Sequence, residues 1–178
     1  LWGKELNKAG YAMGYVGKWH LYPGASKERR IPEGYRYGFT DYWRISRNYQ
    51  DRLNTFYLDD DGNKQNIEGY APHGQMTQVL EFVEKNKEGP FCCVLSYHPP
   101  HPTYSQAPQK WISYYKKQDI QFRKNVPDEY RNKSTLNKLI GAYSHVSAMD
   151  EEMGRLMNKL KELEIDDNTL IIFTSDHG

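Results

Sequence analysis

One alternation, repeated along the chain, constrains the fold more than any other feature: a helix, a short apolar run, then a polar loop carrying histidine. Leu1 to Ala9 reads as the end of a helix stopped by Gly10, and residues 11–17 as a strand leading into Lys18-Trp19-His20. His73 to Lys87 fits a helix ended by Gly89-Pro90, and Phe91 to Tyr97 fits a buried strand that runs into His98-Pro99-Pro100-His101-Pro102. A long helix over about Ser134 to Leu163 follows, with Leu139, Tyr143, Val146, Met149, Met153, Leu156, Met157 and Leu160 at helical spacing. Thr169 to Phe173 is then a third apolar run, expected as a central strand, and it stops at Asp176-His177-Gly178. Such alternation predicts an α/β fold, a mostly parallel sheet flanked by helices.

Between these units the chain is polar. Residues 21–70 read as long loops with one hairpin at Asp60-Asp61-Gly62-Asn63, a strong Asp-Gly turn signal. Residues 105–133 read as a second polar, aromatic loop. With 178 residues the chain suffices for one domain with a real core. Its first residue is Leu, and it opens in what reads as mid-helix, so the expectation is a single partial domain, 1–178, cut from a longer chain at both ends.

Charge excludes some partners. Lys and Arg number 24 against 23 Asp and Glu, a net +1, too balanced a field to draw nucleic acid or an anionic membrane. No run nears the ~20 apolar residues that span a bilayer. Cys92 and Cys93 are adjacent in a strand and face opposite ways, so they are read as two small buried residues rather than a disulfide framework.

In a parallel sheet, ligands lie beyond the carboxyl ends of the strands. Three apolar runs end in Lys18/His20, His98/His101 and Asp176/His177, and a parallel sheet brings all three ends to one edge. Lys18 offers a compact positive charge. His20 and His101 exchange protons near neutral pH, and Asp176 with His177 offers two metal donors. Together they describe a pocket for a tetrahedral oxyanion such as sulfate or phosphate. No nucleophile elbow, P-loop or dinucleotide glycine motif is present.

These residues resemble a known family. Gly17-Lys18-Trp19-His20-Leu21 is similar to the GKWHL signature of the type I sulfatases of the alkaline-phosphatase superfamily. Residues 32–43, the Pro-His-Pro loop after Pro90, the helix from Tyr143 to Leu156 and Asp167 to Gly178 resemble that family's motifs in the expected order. The resemblance implies sulfuric ester hydrolysis. Asp176 and His177 match positions that bind a divalent metal, usually calcium. Lys18 and His20 match the pair around the sulfate, and His101 matches the histidine that contacts sulfate and protonates the leaving oxygen. His98 is set aside because His101 is the one followed by the expected proline.

The family's nucleophile is a formylglycine made from Cys or Ser in a C-x-P-x-R or S-x-P-x-R setting, and no such motif occurs here. The nucleophile is therefore expected upstream, and the 178 residues alone are expected to be inactive. A small-molecule or glycan sulfate ester is the implied substrate, and family habit implies an exported protein. Two alternatives stand beside this reading: a phosphodiesterase or phosphonate hydrolase of the same superfamily, and a non-catalytic binder of sulfated glycans.

Other candidates are read as structural. Asp150-Glu151-Glu152 is a solvated patch or a helix contact, the methionine set is core, and Trp19, Trp43 and Trp111 pack rather than stack on sugars. His73 and His145 are structural, and Lys27-Glu28-Arg29-Arg30 is a solvated loop.

Overall fold

A computed structural model describes residues 1–22, 30–46 and 51–177. The elements run in chain order as α1 (Trp2–Lys8), β1 (Ala12–Lys18), β2 (Tyr42–Ser46), β3 (Asn54–Leu58), β4 (Lys64–Glu68), α2 (Ala71–Asn86), β5 (Phe91–Ser96), α3 (Gln109–Tyr115) and α4 (Lys133–Glu162). Strand order across the sheet is β4-β3-β2-β1-β5. The α/β class is as expected, but the sheet is mixed. β1 runs parallel to both β2 and β5, whereas β2/β3 and β3/β4 are antiparallel. The hairpin turn at Gly62 (φ +82°) reverses the chain after a few residues and permits no parallel pairing there.

Sequence reasoning placed a helix or strand correctly where one period dominates. α2 ends before Gly89-Pro90, and α4 is capped by the Asn132 side chain, which accepts from the Thr135 amide at 3.1 Å. It missed β2, because Tyr42-Trp43-Arg44-Ile45-Ser46 lies inside a polar stretch and forms only by laying its backbone against β1. The polar loop over 105–133 also contains α3.

The sheet is covered on both faces. One cluster gathers Met13, Trp19, Ile31, Phe39, Trp43, Ile45 and Leu58, with Cys92 against it. The other gathers Val16, Met76, Val79, Phe82, Val83 and Leu160, with Cys93 against it. The two cysteines do point to opposite faces, and Trp19 and Trp43 are core.

Two expectations are corrected. The stripe on α4 is offset in its first half: Ile140, Gly141, Ser144, His145, Ala148, Met149 and Glu152 face inward, while Tyr143 and Val146 are 36% and 50% exposed. Polar side chains occupy that face because each finds a partner there. The run at 169–173 is not a strand among the described residues. Leu170, Ile172 and Phe173 are 86%, 77% and 72% exposed, and Ile171 alone of the three isoleucine and leucine positions packs against the second cluster. A strand exists only by pairing, and no described strand lies alongside this segment. Among the described residues no helix is long and apolar enough to cross a membrane. Lys27, Glu28, Arg29 and Gly178 lie outside the described residues.

Candidate active site

The parallel core puts two of the three expected ends together. Gly17 pairs with Ser96 and Lys18 with Ser46, so β1, β2 and β5 finish at one edge. Gly17 is required there: it has φ +102°, and a Cβ would sit 2.1 Å from the Ser96 carbonyl oxygen. The Tyr15 hydroxyl donates to the Lys18 carbonyl at 2.7 Å, and the Trp19 amide donates to the Ser46 carbonyl at 2.9 Å. Lys18 thus leaves a clamped backbone, partly buried, with His20 exposed just beyond it.

After β5 the chain turns sharply. The His101 amide donates to the His98 carbonyl at 3.1 Å, which places both imidazoles on one turn. His101 Nδ1 lies 2.9 Å from the Pro102 carbonyl, and a carbonyl only accepts, so Nδ1 carries the hydrogen. That leaves Nε2 as the nitrogen free to exchange a proton.

His98 is pushed down to about 3, first by burial and then by the charges of Arg52, Lys18, His101 and His20. The pairing of Gly17 with Ser96 sets Lys18 and His20 at the same edge as the turn that carries His98 and His101. His98, set aside from sequence, shares this edge with Lys18, His20 and His101, and burial favours its neutral form.

Arg52 was missed. It is 1% exposed, its Nη2 donates to the Pro102 carbonyl at 3.2 Å, and its amide donates to Gln106 Oε1 at 2.8 Å. It lies in an unpatterned loop 50 residues from the carbonyl it holds, so nothing in the sequence marks it. Beneath His98, Ser46, Arg52 and Gln75 help line a cavity of about 10 Å³. That is room for about one water, too little for a sulfate-sized anion.

Asp176 and His177 are elsewhere in character. Their side chains are 87% and 82% exposed, with Oδ1 and Nε2 3.8 Å apart, at the end of the unpaired segment. Among the described residues there is no group of three His, Cys, Asp or Glu that could hold a metal ion. Calcium takes about 6–8 oxygen ligands, so these two residues alone do not make its site.

The Sulfatase family model matches residues 4–178. The chain is 33% identical to an ulvan-active sulfatase of Formosa agariphila, covering 98% of this chain and 34% of that protein. It is 26% identical to an endo-4-O-sulfatase of Bacteroides thetaiotaomicron, covering 99% of this chain and 39% of that one. The crystal structure of yidJ from Bacteroides fragilis, assigned as a sulfatase, superposes with a TM-score of 0.87 at 26% identity, over 99% of this chain and 43% of that chain. The chain thus spans well under half the length of these relatives. A family match over nearly every residue, and a fold shared with a solved relative, make this chain a member of the sulfatase family.

Proposed function

We propose that this chain is the part of a sulfatase catalytic domain that binds the sulfate ester and protonates its leaving oxygen. The shared end of β1 and β5, which sets Lys18 and His20 next to the turn carrying His98 and His101, is the observation that carries this reading. Lys18 offsets the charge of the sulfate oxygens, which is worth most at a rim partly screened from water. His101, its Nδ1 tied to Pro102, protonates the departing alcohol from Nε2. His20 assists release of the sulfate. Arg52 adds fixed positive charge and holds the loop that carries His101.

The formylglycine would supply the attacking oxygen, and it lies outside these residues. Asp176 and His177 are two of the donors to a divalent metal, calcium by family habit, whose other ligands also lie outside. The substrate is a sulfated carbohydrate, in keeping with relatives named for ulvan and for endo-acting 4-O-desulfation. The protein is exported.

Sulfate release from aryl and sugar sulfates by the full-length protein tests this, with and without calcium. His101→Ala should lower kcat by about 10²–10⁴-fold, the usual share of a general acid. Equal turnover by the variant, or phosphodiester turnover exceeding sulfate-ester turnover, overturns it.

A further inference from the structure

We propose that His145 is a positioning residue: from the middle of α4 it fixes the backbone of the loop that carries His98 and His101. The inference rests on the proposed function for its catalytic consequence, though not for its geometry.

The ring is fully buried. Its Nε2 lies 3.2 Å from the Thr103 carbonyl, which can only accept, so Nε2 carries the hydrogen. In a neutral imidazole Nδ1 must then be the acceptor. The Tyr70 hydroxyl, 2.7 Å from Nδ1, is its donor. Tyr70 caps the start of α2 and stacks on the imidazole, ring centroids 5.8 Å apart and 22° from parallel. One side chain therefore joins α2, α4 and the end of the loop.

A merely space-filling role would be served at lower cost by an apolar residue, because burying an imidazole is costly unless both nitrogens are partnered. Here both are. The same face of α4 is shaped for the loop one turn earlier: a Cβ at Gly141 would meet the Tyr104 carbonyl oxygen at 2.4 Å, so only glycine lets the loop backbone lie there. Two successive carbonyls are held from different elements, Pro102 by Arg52 and Thr103 by His145. His101 Nδ1 binds the first of them. A shift of the Thr103 carbonyl therefore carries the His101 ring with it.

Two substitutions separate the nitrogens. In His145→Gln the amide nitrogen stands near the place of Nε2 and can still donate to Thr103. In His145→Asn the side-chain oxygen stands near Nδ1 and can accept from Tyr70, but nothing reaches Thr103. In the full-length protein His145→Asn should lower kcat about 10- to 100-fold with KM moved less than about threefold, as expected when a catalytic group is displaced by about an ångström. Amide exchange over 98–106 should quicken. His145→Gln should restore both close to wild type.

Equal kcat and equal exchange in the two variants would show that the ring only fills space. Should His145→Asn fail to fold, Tyr70→Phe carries the test, with faster exchange over 98–106 expected and unchanged exchange overturning the anchor. Exchange is read without any turnover, so the anchor can fail or stand independently of the sulfatase reading, which His101→Ala tests.

Discussion

His98 is neutral for a reason that reaches past its own burial: Arg52, Lys18, His101 and His20 all oppose a proton on its ring. This links the site to stability. The native ring titrates at about 3 against an ordinary 6.5, so between these values the unfolded chain binds a proton that the native state refuses. Stability therefore rises with pH in that window and is lost on acidification from 6.5 toward 3. His145, also held low by burial, acts with the same sign. Carboxylates held low, Asp51 and Glu151, contribute fully above their ordinary 3.8 and 4.5 and lose that contribution only as pH falls through those values. Denaturant titrations above that range isolate the imidazoles, and His98→Gln should flatten the slope of unfolding free energy against pH there. A slope equal to wild type would place the ring in solvent. From the sequence His101 is preferred to His98, as the match to the family's histidine before its expected proline. Only the packing showed that His98 is the half-buried one, on the edge where β1 and β5 end.

At the scale of elements, α2 and α4 are joined by a charged knot. Glu152, 7% exposed at its side chain, meets His73 Nδ1 at 2.9 Å through Oε1 and Arg155 Nη1 at 2.5 Å through Oε2. Arg155 continues to Thr77 at 2.9 Å. The three acids Asp150, Glu151 and Glu152 look alike in sequence, yet Asp150 is exposed, Glu151 reaches Lys110 and Trp111 of α3, and Glu152 is buried. Helical position decides this, since each step along α4 turns the side chain by about 100°. Removing Glu152 leaves a partly buried guanidinium without its carboxylate. Glu152→Ala should cost about 2 kcal/mol, below the 3–5 of a fully buried pair because Arg155 keeps some solvent. Urea unfolding measures it, and a loss under ~0.5 kcal/mol would mark the knot as an ordinary surface pair.

For the whole molecule the outstanding feature is the segment 169–173. Leu170, Ile172 and Phe173 read as core and are instead largely in water, and among the described residues no strand pairs with the segment. Exposed β-prone segments of this kind pair with whatever strand they meet. The 178 residues expressed alone should self-associate at micromolar concentration and above, and Ile172→Lys with Phe173→Lys should suppress it. Sedimentation across a concentration series measures this. A monomer at every concentration would mean that the segment is covered within the chain.

What the sequence determined by itself is local or periodic. The helices α2 and α4, the strands β1 and β5, the Asp-Gly hairpin, and the Lys18-Trp19-His20 signature that ties the chain to its family are all written in contiguous residues. What tertiary structure decided depends on partners far along the chain. β2 is a strand because β1 lies beside it, Arg52 belongs to the site because Pro102 comes to it, and His145 holds a carbonyl 42 residues away and a hydroxyl 75 residues away. Residues 169–173 have strand chemistry but no described strand to pair with, and Leu170, Ile172 and Phe173 stay exposed while Ile171 packs inward. Periodicity reports which face of an element is apolar, whereas desolvation and charge act between whichever side chains the packing of those faces brings within a few ångströms.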